Sequence, residues 1–334
     1  MTNTRVTLAR RPEGVAKPDC FSVETAELEP LEPGQIRVGV EYISVDAGTR
    51  TMLEGIGFHQ QVGIGDTILA GGVGRIIDSA DDAWAVGQAV RGGLGAQTVA
   101  TVTGAELEPI DESLAPLSAW LGVLGGSTGV TAWIGMRHVA KPKPGDIFVV
   151  SAAAGAVGSI VGQIAKRDGA TVIGIAGGPE KVAYLTQRLG FDAAIDYKNE
   201  NVGERLRELA PSGVNVFYDN VGGPILDAVL DNIAMHAKVV ICGAVSQYNH
   251  MDKVVGPSMY LRLAERQSVM EGFAFFHFPE SIEPATQELA GWVKDGSLVF
   301  DEEILEGIER FPEALDFMFQ GGNIGKLLVK AGQS

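Results

Sequence analysis

From Ile147 onward, short apolar runs alternate with longer stretches whose apolar positions recur at helical spacing. Ile147-Phe148-Val149-Val150 follows the turn cluster Pro144-Gly145-Asp146 and predicts a buried strand. From Ala156 the period changes: Val157, Ile160, Val161 and Ile164 share one helical face, and Gly169 supplies a C-terminal stop. A second strand is predicted over 170–175, then a helix opened by Pro179 that runs through Leu189, with Gly190 behind it. Asp192 to Tyr197 predicts a third strand, 200–210 a polar helix, and Val214 to Tyr218 a fourth strand. Gly222-Gly223-Pro224 then introduces an amphipathic helix to Met235, and Lys238 to Cys242 a fifth strand. A sixth strand is expected near Phe273 to Phe276 and a helix near 281–294. Strands and helices alternating at this spacing predict an α/β fold on a doubly wound parallel sheet.

The flanks read differently. Residues 1–122 are rich in Gly, Val and turn signals, with short strand patterns at Gln35–Val40 and Gly72–Ile77, which predicts a β-rich domain. Near the end, Lys326 to Lys330 is strand-like and is expected to return to that domain. The expected division is therefore 1–122, a sheet-and-helix domain over 123–295, and a returning tail over 296–334. No internal repeat or low-complexity segment interrupts it.

One stretch offers a competing reading. Between Asp146 and Lys166 lie nineteen residues without a charge, and Gly158 and Gly162 carry the small-xxx-small spacing of packed membrane helices. Composition argues against a bilayer. The chain has 334 residues, is 46% hydrophobic and 20% charged, and has no second long apolar segment. Its N-terminal stretch lacks the apolar run of a signal peptide, and only Cys20 and Cys242 occur, which fits a cytoplasmic, reducing setting. With 26 basic and 42 acidic residues the net charge is −16, a field that repels nucleic acid and anionic lipid. Neither nucleic acid nor membrane is an expected partner. Any phosphate must be held by local geometry.

That geometry is present between the first strand and its helix, as Ala153-x-Gly155-x-x-Gly158. This is the dinucleotide-binding G-x-G-x-x-G pattern with its first glycine replaced by alanine. Glycine lets the backbone approach a pyrophosphate, which rests on the free N–H groups of the helix start. NAD sites carry an acid near the end of the second strand for the ribose 2′-hydroxyl. Here that strand ends Ile175-Ala176-Gly177-Gly178, with no acid, and Lys181 stands in the first turn of the next helix. Lys181 there, with a hydroxyl from Tyr197, suits a 2′-phosphate, so NADPH is expected over NADH. Glu180 points about 100° away around the helix. The alternative makes Lys181 an ordinary solvated lysine.

Residues 147–249, including AAAGAVGSIVGQIAK, GIAGGPEK, LGFDAAIDYK, NVFYDNVGG and VVICGAVSQYN, resemble the cofactor domain of the medium-chain dehydrogenase/reductase superfamily. The similar group is the zinc-free prostaglandin/leukotriene reductases with their bacterial curcumin-reductase relatives. The likeness extends to Ser44-Val45-Asp46, Gly71-Gly72-Val73-Gly74, Gly129-Val130-Thr131-Ala132-Trp133 and Gly322-Asn323-Ile324-Gly325-Lys326. It implies a Rossmann domain beside a β-rich, GroES-like catalytic domain, a cytoplasmic homodimer, and NADPH-dependent reduction of the C=C bond of α,β-unsaturated ketones or aldehydes as small-molecule substrates. By the same resemblance, Gly155, Ala156, Val157 and Gly158 form the pyrophosphate turn, and Gly177, Lys181 and Tyr197 surround the 2′-phosphate. Asn220, Cys242, Gly243, Ala244, Ser246, Tyr248, Phe273 and Phe275 line adenosine and nicotinamide. Asn323 falls on the nicotinamide side, and Thr131 borders the ring. Read without the resemblance, Asn220, Asn323 and Thr131 are loop or cap residues.

The chain departs from this group where substrate is expected. Relatives read S-V-D-P-Y-M-R where this chain has Ser44-Val45-Asp46-Ala47-Gly48-Thr49-Arg50, so Gly48 replaces a substrate-facing tyrosine and Arg50 closes the same segment. A longer Gly125-Gly126-Ser127-Thr128-Gly129 replaces G-M-P-G, and a second tyrosine falls on Glu265, five positions beyond Tyr260. These changes bear on substrate and proton donor, not on cofactor.

Metal chemistry finds no ligand set in the sequence. Two isolated cysteines cannot supply thiolate ligands and a four-cysteine lobe, and His59, His138, His236, His250 and His277 lack ligand spacing. Hydride transfer then needs a conjugated carbonyl as electrophile, with donors aimed at the developing enolate oxygen. Tyr42, Tyr184 and Tyr218 sit on strand or helix patterns. Tyr248 lies just past the fifth strand, and either donates to that oxygen or braces the cofactor ribose. Two rival functions share parts of this description: a metal-free quinone oxidoreductase and a non-catalytic NADPH-binding protein.

Overall fold

The computed structural model describes residues 1–55 and 60–332. His59, one of the histidines weighed above, lies outside the described residues. The chain divides into two compact units, Met1–Gly122 with Glu302–Ser334, and Val123–Asp301.

The first unit opens with strands β1 (Thr2–Leu8), β2 (Phe21–Glu27) and β3 (Gln35–Ser44) and the short helix α1 (Gly48–Met52). Strands β4 (Gly72–Ser79), β5 (Ala89–Gly92), β6 (Val99–Thr103) and β7 (Leu107–Pro109) follow.

The second unit begins with a helical turn, α2 (Thr131–Ile134), flanked by wide turns, then β8 (Ile147–Ser151), α3 (Ala156–Arg167) and β9 (Thr171–Ala176). Next come α4 (Pro179–Ala183), widened into Tyr184–Arg188, β10 (Ala193–Asp196), α5 (Val202–Leu209) and β11 (Val214–Asp219). The unit closes with α6 (Gly223–Leu230), β12 (Ile233–Ile241), α7 (Leu261–Glu265), β13 (Val269–Gly272) and α8 (Pro279–Lys294). The chain then adds β14 (Glu302–Glu306), α9 (Phe311–Phe319) and β15 (Lys326–Lys330) to the first unit.

Among the described residues, the second unit's strands form one parallel sheet in the order β10-β9-β8-β11-β12-β13. The order reverses between β8 and β11, which opens a crevice at their carboxyl ends. Val149, Ile173, Ile195, Phe217 and Val239 fill its core. A parallel sheet covered on both faces has strands without alternation, as the apolar run at β8 shows.

The uncharged stretch is therefore a buried strand followed by a buried helix. In α3, Gly158 through Ala165 are buried, and the one amide among them is satisfied because Gln163 exchanges hydrogen bonds with both backbone groups of Val299 (2.8 and 2.7 Å). Gly158 packs on the backbone of Ala152 and Ala153, while Gly162 faces the ring of Phe191. Among the described residues no helix is long and apolar enough to cross a membrane.

Two expected boundaries are corrected. The helix after Gly222-Gly223-Pro224 ends at Leu230, not Met235, because Ile233 onward pairs with β11 and the strand passes His236 at φ 60°. The sixth strand is Val269–Gly272 rather than Phe273–Phe276: its register on β12 ends at the Ile241–Gly272 pair. Beyond that pair the aromatic residues leave the sheet, and Phe275–His277 makes a 3-10 turn packed near Val130, Ile134 and Ala285. Pairing overrides the apolar pattern at both places.

In the first unit, β14-β15-β3-β4-β5-β7 form a mixed sheet, with β6 also on β3 and β1-β2 as a separate ladder. Its core holds Val38, Val40, Ile76, Leu94, Leu327 and Val329. The tail joins through β15, antiparallel to β3.

Candidate functional site

The turn from β8 into α3 stands at the reversal of the strand order. Ala152 carries the bend with φ 47°, a left-handed backbone that an alanine adopts only at a cost. The departure from the glycine pattern noted at Ala153 is therefore not where the strain lies. Ala153 is fully buried against β9, where Gly174 leaves room for its methyl. Gly155 caps the helix, its N–H donating to Ala152 O (2.9 Å), and the first bond into the helix is Ser159 N–H to Gly155 O (3.1 Å). The N–H groups of Ala156, Val157 and Gly158 precede that ladder and face the crevice end of the helix. A Cβ on Gly158 would stand 2.4 Å from Ala152 O, so only glycine lets the helix start this close to the strand. The cradle fits a dinucleotide pyrophosphate.

Beyond β9, Gly177 lies against the ring of Tyr197: a Cβ there would meet the ring at 2.9 Å and Lys198 Cε at the same distance. Tyr197 is exposed and Lys181 is half-buried. One carboxylate ties the two loops together. Asp196 is buried and accepts from Gly178 N–H (2.7 Å), Lys198 N–H (3.1 Å) and Asn199 Nδ2 (2.7 Å). The Gly178 bond leads the others in holding its pKa below the usual carboxylate range. Lys198, unremarked in the sequence, thus stands beside Lys181's loop and brings a second cation there. Beside Tyr197, a shallow cavity of ≈ 290 Å³ reaches Asn201 at the start of α5 and Pro224 and Ile225 of α6.

Across the crevice, Ser151 ends β8 and Asp219 ends β11. Ser151 Oγ donates to Asp219 Oδ1 (2.7 Å) and accepts Asn220 N–H (2.8 Å), while Asn220 Nδ2 donates to Ser151 O (2.8 Å). The loop after β12 hangs on the same ends, through Val245 N–H to Asn220 O (3.1 Å) and Ser246 Oγ to Val221 O (2.6 Å). Within that loop Tyr248 Oη accepts the N–H of Ala244 (3.1 Å) and lies over Gly243. Burial raises the Tyr248 hydroxyl's pKa, against the Ala244 bond, so it keeps its proton at neutral pH. Burial likewise pushes the Cys242 thiol up to about 11, with Tyr218 hydrogen-bonded to it. The structure thus gives Tyr248 a bracing contact and leaves its proton available.

Thr131 and Phe275 lie at the start of α2, and Phe273 at its end, beside Gly135. Thr131 Oγ1 donates to Gly126 O (2.7 Å), Phe275 lies against Gly126, and Phe273 lies edge-on to Tyr218 with ring centres 6.3 Å apart. Tyr218 itself is fully buried, and Tyr184 is tied to Asp301 (3.0 Å).

In the first unit, Gly48 opens α1 half-buried, its carbonyl accepting Thr51 Oγ1–H (2.8 Å). Arg50, expected on the substrate side, is enclosed. Its side chain has no exposed surface, its guanidinium donates to Gly14 O (3.0 and 2.5 Å), and it pairs with Glu54 (2.5 Å). It braces α1. Asn323 is buried, with Nδ2 donating to Gly325 O (2.9 Å) in the turn before β15. Among the described residues no three His, Cys, Asp or Glu side chains are grouped to hold a metal ion.

A family described as the N-terminal domain of oxidoreductase matches residues 4–110, and one described as zinc-binding dehydrogenase matches residues 156–291. NADPH-dependent curcumin reductase of Escherichia coli is 33% identical over 334 residues, covering 98% of this chain and 96% of that one. Prostaglandin reductase 1 of Rattus norvegicus is 36% identical over 331 residues, covering 97% and 98%. The crystal structure of CurA in complex with NADPH from Vibrio vulnificus superposes with a TM-score of 0.92 at 32% identity, over 99% of this chain and 100% of that one. Matched in both parts and along nearly its whole length, the chain belongs to the medium-chain dehydrogenase/reductase superfamily, in its zinc-free prostaglandin reductase and curcumin reductase group.

Proposed function

We propose that this protein uses NADPH to reduce the C=C bond of α,β-unsaturated ketones or aldehydes. The observation that carries the reading is the crevice at the strand reversal: a glycine turn and helix start for a pyrophosphate, followed by Lys181 and Tyr197 instead of an acid beyond β9. When bound, NADPH supplies the hydride. The chain's part is to hold and orient. The N–H groups of Ala156 to Gly158 take the pyrophosphate, Lys181 and Tyr197 beside Gly177 take the 2′-phosphate, and Asn220 with the Cys242–Tyr248 loop lines the ribose side. Thr131, Phe273 and Phe275 form an apolar wall, and Asn323 keeps the role the resemblance implies. Charge developing on the substrate's carbonyl oxygen calls for a hydrogen-bond donor, and Tyr248 retains its proton.

The test is loss of NADPH absorbance with a panel of enones, enals and quinones. Turnover of enones or enals supports the reading; turnover of quinones alone would make the protein a quinone oxidoreductase. Binding without turnover would make it a coenzyme-binding protein. Lys181→Ala is expected to weaken NADPH by about 1.5–3 kcal/mol, the range for a charged hydrogen bond, and to leave NADH unchanged. Equal losses for both coenzymes would remove the 2′-phosphate from Lys181.

A homodimer is part of the same proposal. Among the described residues, strand β13 is the edge of the parallel sheet, and Val269, Met270, Tyr260 and Leu261 expose apolar surface on or beside it. An unpaired apolar edge of this kind is a surface for a second copy. Sedimentation at micromolar concentration checks it, and a monomer would remove the dimer from the proposal.

A further inference from the structure

We propose that Asp219 is a positioning residue for the coenzyme, locking the carboxyl ends of β8, β11 and β12 into one frame. This rests on the reading of Asn220 and the Cys242–Tyr248 loop as the coenzyme's ribose side. Asp219 has no exposed surface and ends β11 at the strand reversal. Its Oδ1 accepts Ser151 Oγ–H (2.7 Å) from β8 and Val221 N–H (2.9 Å) from the next loop. Gly222 N–H is shared by both carboxylate oxygens, at 3.1 and 3.0 Å. Its backbone oxygen takes the N–H groups of Cys242 (2.9 Å) and Gly243 (3.2 Å) from the end of β12.

Each group in this set is a donor, so the site is built for an acceptor-only carboxylate. The loop it organises has little choice of its own: Gly222 and Gly223 stand at φ 71° and 56°, and Gly222 N–H is anchored by the carboxylate. Asn220, next in the chain, is fixed at both its backbone and its side chain by Ser151. Val245 and Ser246 then dock on Asn220 and Val221, which carries the frame into the loop that holds Tyr248. Asp219 touches no surface itself. It acts through these neighbours.

The prediction separates Asp219 from Lys181. Lys181 reads the 2′-phosphate, whereas Asp219 sets a frame common to both coenzymes. Asp219→Asn keeps the shape but turns one acceptor into a donor facing N–H groups. It is expected to raise the dissociation constants of NADPH and NADH by the same factor, roughly tenfold or more. Ser151→Ala, a milder cut at the same network, should move both constants in the same direction and folds if the first variant does not. Gly162→Ala, which strains the same unit away from the network, serves as the control at matched melting temperature.

Equal weakening of both coenzymes in Asp219→Asn or Ser151→Ala, beyond the control, supports the inference. Unchanged binding in both variants, or a loss that Gly162→Ala reproduces at equal melting temperature, overturns it while leaving the NADPH reading intact. Failure of the unmodified protein to bind either coenzyme overturns both.

Discussion

Two glycines on one helix should separate coenzyme binding from stability. Gly158 and Gly162 both lie in α3, so replacing either with alanine gains the same helix propensity, about 1 kcal/mol. What differs is the atom each new methyl meets. At Gly158 the Cβ would stand 2.4 Å from Ala152 O and 2.9 Å from Ala153 Cα, where 3.4 Å is an ordinary contact. Those are backbone atoms of the turn and cannot step aside, so the helix start must retreat from the strand by about 1 Å, in an interior too densely packed to absorb it. The displaced groups are the N–H donors expected to hold the pyrophosphate. We expect Gly158→Ala to weaken NADPH and NADH at least tenfold, which is about 1.4 kcal/mol.

At Gly162 the Cβ would stand 2.0 Å from a ring atom of Phe191, a residue only 3% exposed. The ring cannot retreat, because Gly174 of β9 already accommodates its other side, with Leu185 alongside. Overpacking of this kind costs about 1–3 kcal/mol, partly offset by the propensity gain. For a unit of this size that lowers the melting temperature by roughly 2–4 °C per kcal/mol. Coenzyme affinity should be untouched. Fluorescence titration with NADPH beside a thermal melt reads both quantities. If Gly158→Ala binds NADPH as the unmodified protein does, or if Gly162→Ala loses NADPH as severely, the assignment of the turn is wrong.

Three further outcomes follow from the same contacts. Ala152→Gly should stabilise the protein by up to about 1 kcal/mol, because relief of a left-handed alanine outweighs the flexibility glycine gains when unfolded; a lower melting temperature would contradict this. Tyr248→Phe removes the acceptor of Ala244 N–H, so NADPH should weaken by about 0.5–1.5 kcal/mol; if Tyr248 also donates to the enolate, kcat should fall on the order of 10²-fold, and a kcat that survives at saturating coenzyme would leave it a brace only. The Cys242 thiol, lifted to about 11 by burial, stays neutral until pH approaches that value. At pH 8 its thiolate fraction is on the order of one part in a thousand, so native protein should resist thiol reagents and the unfolded chain should react at both cysteines. Rapid labelling of Cys242 in the native state would refute that.

Local pattern alone determined the strand–helix alternation, the glycine turn, and the lysine standing where an acid was absent. These are properties of a short window, in which period, turn chemistry and charge act on neighbouring residues. The spacing of Gly158 and Gly162 was equally plain, but its meaning was not. One glycine serves a turn six residues away and the other a phenylalanine at position 191, and only the folded sheet brings Phe191 there. The strain at Ala152 was hidden for a related reason: the pattern marked Ala153 as the departure, yet the backbone angle depends on how the strand must leave the sheet. The end of α6 and the start of β12 were decided by pairing with β11, which outweighs the helical period of the residues between. The bond from Arg50 to Gly14 was invisible in the sequence, because only the fold brings Gly14 to it from 36 residues earlier in the chain. Asp219 was least visible. An acid ending an apolar strand was the signal in Phe217-Tyr218-Asp219-Asn220, but its role arises because the strand order sets β8 beside β11, and Ser151 beside a carboxylate 68 residues later.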